Sequence, residues 1–239
     1  MKKTQVLAFG SHQDDVELGA GGTLLKLKKI GMTTGVVSLS RSEMNSRTTP
    51  EQISREAGEA AKVLKLDVRE TLDLGDCKIE DSYRNRVIIA EVIRKFQPDI
   101  ILAPFFQDRH TDHENTGKLI RSSLVLSRLK KLNNPDPPYG PKIVLYYLLQ
   151  VPTAIAPSMV VDITDIIASK NEAVKCYRSQ FEKTASEQGI LPIGIGDYLF
   201  HIESRDRYYG SLINVKYGEA FVSEGPILLS NLSQLLTHE

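Results

Sequence analysis

Apolar, β-branched runs alternate with amphipathic helical segments along most of this 239-residue chain, and no other feature restricts its fold as much. Val6–Gly10, Gly35–Leu39, Val68–Leu74, Asp99–Pro104, Ile143–Leu149 and Met159–Asp162 read as strands. Between them, Gly19–Ile30, Pro50–Leu66, Tyr83–Phe96, Glu114–Lys131 and Ile163–Phe181 read as helices, because their apolar residues recur at helical spacing. Pro50 suits a first helical turn, and Gly31 suits a C-terminal stop. Such alternation predicts an α/β, Rossmann-like three-layer fold with a mostly parallel central sheet. No repeat or linker divides the chain, so residues 1–239 read as a single domain with a C-terminal extension from about Ser186. Gly189–Asp197, rich in glycine, reads as a mobile loop.

The chemistry is concentrated where strands end. His12-Gln13-Asp14-Asp15-Val16-Glu17 follows the first strand and precedes Gly19-Ala20-Gly21-Gly22. Asp108-Arg109-His110-Thr111-Asp112-His113 lies in a polar stretch, Phe105–His113, after the Asp99–Pro104 run. Three of the five histidines therefore fall at the carboxyl edge of the expected sheet, where α/β proteins bind ligands. Two imidazoles and one carboxylate with an open position make a catalytic metal site. His12 and Asp15 read as ligands, Asp14 between them as a general base, and the remaining histidine and carboxylates as acid–base groups.

Other readings compete at these residues. Asp14 and Asp15 could cap a helix, and a lone HxxH pair often does the same. Gly19 and Gly21 begin a dinucleotide-loop pattern, with Glu43 placed like a ribose-binding acid. Leu24 occupies the third glycine's place, and the two aspartates would repel a pyrophosphate. A ferrous oxygenase uses the same donor set, although it usually sits in an all-β barrel. A metal-dependent phosphoesterase is a further alternative.

The formal net charge is zero, which argues against nucleic acid or a membrane surface as partner. No apolar run approaches the ~20 residues of a membrane helix and no signal peptide is evident, so a cytoplasmic protein is expected. Cys77 and Cys176 lack CxxC spacing. They read as buried small hydrophobes in a reducing compartment.

Ser11-His12-Gln13-Asp14-Asp15 and His110-Thr111-Asp112-His113 resemble the AHPDD-like and HPDH motifs of the LmbE/PIG-L family of metal-dependent sugar N-deacetylases, with Gln13 and Thr111 in place of prolines. Arg41-Ser42-Glu43, Asp108-Arg109, Tyr177-Arg178-Ser179-Gln180-Phe181 and Arg207-Tyr208-Tyr209-Gly210 further resemble the BshB-type deacetylases of bacillithiol biosynthesis. The resemblance implies that His12, Asp15 and His113 hold Zn2+, with Fe2+ an alternative. It implies Asp14 as base, His110 as the oxyanion-stabilising acid and Asp112 as the group that orients His110. Glu43, Arg47 and Arg109 would lie near the sugar or its aglycone, and Tyr198 would polarise the acetyl carbonyl. The implied partner is a small-molecule sugar conjugate, N-acetylglucosaminyl-malate, and the implied assembly is a homo-oligomer such as a hexamer. Ile53 stands where such enzymes often carry a sugar-binding arginine. His201, His238 and the late tyrosines other than Tyr198 read as ordinary residues.

Overall fold

A computed structural model describes residues 3–149, 155–181 and 195–227; at 181 and 195–198 it describes the backbone alone. The elements run β1 (Val6–Gly10), α1 (Asp15–Lys29), β2 (Thr34–Ser38), α2 (Pro50–Val63), β3 (Val68–Thr71), α3 (Tyr83–Phe96), β4 (Ile100–Pro104) and α4 (Thr111–Arg128). There follow β5 (Ile143–Tyr147), β6 (Met159–Asp162), α5 (Ile167–Lys175), α6 (Arg178–Phe181), α7 (Ile195–Ser211) and β7 (Gly218–Val222). The described strands form one seven-stranded sheet in the order β3-β2-β1-β4-β5-β7-β6. The pairs β3–β2, β2–β1, β1–β4 and β4–β5 are parallel, while β7 runs antiparallel between β5 and β6.

Alternate strand residues face opposite helical layers. Leu7, Phe9, Ile101 and Ala103 pack with Ile89 and Ile93 of α3 and with Leu119 and Ile120 of α4. Val6, Ala8, Leu102 and Tyr147 pack with Val16, Ala20 and Leu24 of α1. Ile53, Ala57 and Ala60 of α2 and Ala173 and Val174 of α5 extend that second layer. The chain leaves β1 toward β2 and β3, then returns to place β4 on the other side of β1. The crevice at the carboxyl ends of β1 and β4 is therefore a topological switch point.

Several boundaries differ from the sequence expectation, each for a local reason. Helix α1 begins at Asp15 rather than Gly19, so the glycine run lies inside the helix. A Cβ on Gly19 would stand 2.3 Å from the Tyr147 ring, and one on Gly22 would stand 2.8 Å from Ile163. These glycines are close-approach positions, and no dinucleotide loop forms. Tyr147 is fully buried, with its hydroxyl donating to the Phe9 carbonyl at 2.8 Å, so it cannot retreat. Gly19→Val is expected to cost about 2–3 kcal/mol through overpacking, read as a lowered urea midpoint with an unchanged slope.

Helix α4 begins at Thr111, because the His110 side chain caps it by accepting from the Asp112 N–H. Between Ile163 and Phe181 the expected single helix is a 3-10 turn (Thr164–Ile166) followed by α5 and α6. Strand β3 stops at Thr71, and β7 was absent from the sequence reading. The region after about residue 186 contributes α7 and β7, the latter within the sheet. Of the expected Gly189–Asp197 loop, residues 189–194 lie outside the described residues, and from Ile195 the chain is helical. Cys77 is exposed and Cys176 half-buried, and both are free thiols. Cys77 escapes the core because it sits in a tight turn with φ of 58°. Among the described residues no helix is long and apolar enough to cross a membrane.

Candidate metal centre and catalytic cleft

The loop after β1 is wound around the Asp15 carboxylate. Its Oδ2 accepts the backbone N–H groups of Ser11 at 2.8 Å and His12 at 2.9 Å. Its Oδ1 faces His113 Nε2 at 3.3 Å, and His12 Nδ1 lies 3.6 Å from Oδ2. The loop after β4 is fastened to this one through the Ser11 hydroxyl, which lies 3.1 Å from the Asp112 carbonyl and 2.8 Å from Thr116 Oγ1. His110 and His113, three apart at the start of α4, stack with ring centroids 4.6 Å apart. Residues about a hundred positions apart in the chain thus meet at one point.

His12, Asp15 and His113 offer ligand atoms that all lie within 4.8 Å of one another. Two imidazoles and a carboxylate beside an open cleft fit a catalytic divalent ion. The far nitrogens of both imidazoles strengthen that fit. His113 Nδ1 lies 3.2 Å from Asp108 Oδ1. His12 Nε2 lies 3.3 Å from both Asp76 Oδ1 and Asp112 Oδ2. Carboxylates in these places fix ring orientation and raise ligand basicity. His12, His110 and Asp112 form an overlapping donor group, but Asp112 Oδ2 is already held by the Cys77 N–H at 2.8 Å. Asp108→Asn is expected to weaken metal affinity about 10–100-fold, measured by chelator competition, with the fold retained.

Electrostatics separates the roles. Burial, together with the neighbouring Asp15 charge, pushes the Asp14 carboxyl up to about 6. Asp14 is the N-cap residue of α1, yet its side chain makes no capping hydrogen bond. Burial would raise Asp15 as well, but His113 and His12 hold it well below the usual carboxylate range. Burial would lower His113, but Asp15 and Asp108 outweigh it and hold the ring at about 9. His12 is raised by Asp15, Asp112 and Asp76 against its own burial. His110 moves the other way, lowered by burial and by the neighbouring His113 and His12. Its Nδ1 accepts from the Asp112 N–H at 3.2 Å, so the neutral ring carries its proton on Nε2.

These groups open onto a cleft of about 740 Å³ lined by His12, Asp14, Asp15, His110 and His113. Leu18, Ile53, Leu149 and Ile202 supply an apolar wall, and Arg109, Asn45, Gln180 and His201 supply polar groups. His201, read from sequence as ordinary, therefore borders the site. Arg109, expected near the sugar or its aglycone, lines the cleft. Arg47 instead donates to the Gln180 carbonyl at 2.7 Å, and Glu43 accepts the Asp76 N–H at 2.7 Å. Both brace loops around the cleft. Asp112 meets His110 through its backbone, while its carboxylate turns to His12. Tyr198 falls on α7, and its side chain lies outside the described residues.

Asp76 carries no motif, and Asp108 stands in the second histidine stretch with no role evident from its neighbours. Asp76 stands just beyond the third strand, at the same sheet edge as the other site loops, and that position was the available signal.

The chain is similar to several known proteins. The family model described as PIG-L, GlcNAc-PI de-N-acetylase, matches residues 7–124. A conserved protein of Thermus thermophilus has a crystal structure similar to this chain, with TM-score 0.84 and 33% identity, covering 95% of this chain and 97% of that one. Diacetylchitobiose deacetylase of Thermococcus kodakarensis is 26% identical, covering 90% of this chain and 81% of its own length. The 4-oxalmesaconate hydratase of Pseudomonas putida is 22% identical, covering 95% of this chain and 92% of its own.

Proposed function

The chain belongs to the PIG-L/LmbE family of amide-hydrolysing deacetylases, and on that premise we propose that it removes the acetyl group from an N-acetylglucosaminyl conjugate using zinc. The observation that carries this reading is the Asp14 carboxylate, uncapped and facing the cleft beside the His12, Asp15 and His113 donor set. An ion held by those three residues would supply Lewis acidity and acidify the attacking water from ~15.7 to about 7.

Asp14 accepts the proton of the water that attacks the acetyl carbon. A base with a pKa near the working pH is efficient in that role. The carbonyl oxygen gains negative charge as the C–O bond forms, and His110 donates its Nε2–H to it. The Asp112 N–H keeps the other ring nitrogen occupied, so the donor stays aimed. The C–N bond then breaks, and Asp14 in its protonated form or His110 supplies the amine's proton. Acetate and a free amino sugar leave.

For the aglycone we propose malate, with N-acetylglucosaminyl-malate as substrate in bacillithiol biosynthesis. Arg109 in the cleft can hold a carboxylate in fork geometry. A cytoplasmic homo-oligomer, hexameric by analogy, completes the proposal and is read by light scattering.

The deciding experiment measures acetate release from N-acetylglucosaminyl-malate and from diacetylchitobiose, alongside metal analysis of the purified protein. Release from the first supports the full reading. Release from the second alone keeps the deacetylase and discards malate. Consumption of 4-oxalmesaconate with no acetate from either sugar overturns the deacetylase reading.

A further inference from the structure

Two residues outside the cleft lining converge on one carbonyl behind the site. Arg69 of β3 donates through Nη2 to the Gln13 carbonyl, and the Tyr177 hydroxyl, from the link between α5 and α6, donates to the same oxygen. Arg69 Nη2 also reaches the Tyr177 hydroxyl at 3.3 Å. Glu17 of α1 accepts from Arg69 Nη1 through Oε1 at 3.1 Å, and the same Oε1 lies 2.9 Å from the Tyr177 hydroxyl, whose single proton it shares with the Gln13 carbonyl. Gln13, Glu17 and Tyr177 are buried, and Arg69 is nearly so.

The gripped peptide is the one whose nitrogen belongs to Asp14. Because the Asp14 side chain makes no capping bond, its direction depends on the backbone that carries it. We propose that Arg69 and Tyr177 are positioning residues that lock the Gln13–Asp14 peptide and so aim the Asp14 carboxylate at the attacking water. Glu17 keeps the two donors in place. The tie crosses from the edge strand β3 and from the α5–α6 link to the first residues of α1. It therefore couples loop geometry to parts of the chain that do not touch substrate. This inference rests on the proposed hydrolysis only for its kinetic readout.

The test compares Tyr177→Phe, Arg69→Lys and Arg69→Met with a distant hydroxyl deletion, Tyr146→Phe. Tyr146 bonds Glu224 at 3.1 Å through its hydroxyl and does not line the cleft. Misplacement of a reacting group by about an ångström can cost 10²-fold in rate. Tyr177→Phe is therefore expected to lower kcat about 10–100-fold with KM and metal content unchanged. Arg69→Lys should retain more of kcat than Arg69→Met, and Tyr146→Phe should match the parent. Wild-type kcat in Tyr177→Phe overturns the proposal. So does a loss that tracks metal content, or one shared by Tyr146→Phe. If the parent enzyme hydrolyses no acetamide, the proposed function fails and the clamp is judged separately. A crystal structure of Tyr177→Phe then decides it: a rotated Gln13–Asp14 peptide supports the clamp, and an unmoved one overturns it.

Discussion

Asp14→Asn is expected to cut turnover about 10²–10⁴-fold while the protein keeps its metal and its melting temperature. The effect follows from what the Asp14 carboxylate does not do. It caps no helix, whereas the adjacent Asp15 organises the whole loop through two backbone bonds and faces two imidazoles. Replacing Asp14 by its amide keeps the shape and removes only the proton acceptor. Removing a charge that burial and Asp15 both disfavour should leave stability unchanged or slightly higher. The measurement is kcat with metal stoichiometry and a thermal melt on one preparation. Near-normal turnover would remove Asp14 from the role of base, and loss of metal would move it into the ligand set.

The second large effect is structural. Lys170→Met is expected to destabilise the fold by about 3–5 kcal/mol, because it removes the cation from buried Glu219 and leaves buried Asp206 with Arg205 alone. Lys170 Nζ lies 2.6 Å from Asp206 Oδ2 and 2.8 Å from Glu219 Oε1, and all three side chains have no exposure. Glu219 also accepts the Gly22 N–H at 2.8 Å and the Thr23 N–H at 2.6 Å, so β7 is bolted to the middle of α1. Arg205 completes the cluster, pairing with Asp206 at 2.8 Å and donating to the Leu149 carbonyl at 2.8 Å beside the cleft. At this chain length 1 kcal/mol corresponds to roughly 2–4 °C, so the melting temperature should fall by on the order of ten degrees. A shift within a degree or two would mean that the cluster relaxes or admits water.

The two predictions divide along what is readable in the linear chain. The strands β1, β2 and β4 were legible because burial on a parallel sheet demands apolar runs, and the antiparallel edge strand β6 was legible as a short apolar run. The helices α2 and α3 were legible because amphipathic helices repeat at a fixed period. His12, Asp14, Asp15, His110 and His113 were legible for a related reason: each follows a buried strand closely, and chain order alone places strand ends at the functional edge of such a sheet.

Other features depend on partners far away in the chain. β7 is short and carries a buried glutamate, Glu219. Its alternation is satisfied only once Lys170 and the amides of Gly22 and Thr23 are beside it. Asp76 and Asp108 look like loop residues until His12 and His113 turn their far nitrogens toward them. Asp112 stands next to His110 in the motif, yet in the first turn of a helix its carboxylate points to His12 and only its N–H serves His110. Arg69 carries no local mark, and Tyr177 is marked only as part of the Tyr177-Arg178-Ser179-Gln180-Phe181 stretch and not for this role, because the carbonyl they hold lies 56 and 164 positions away. Local periodicity and turn chemistry therefore suffice to place the reacting groups at one edge of a sheet. The direction in which each group points is set by buried polar bonds between distant segments, and those form only in the folded chain, where an unpaired buried charge or amide costs more than the ordering needed to pair it.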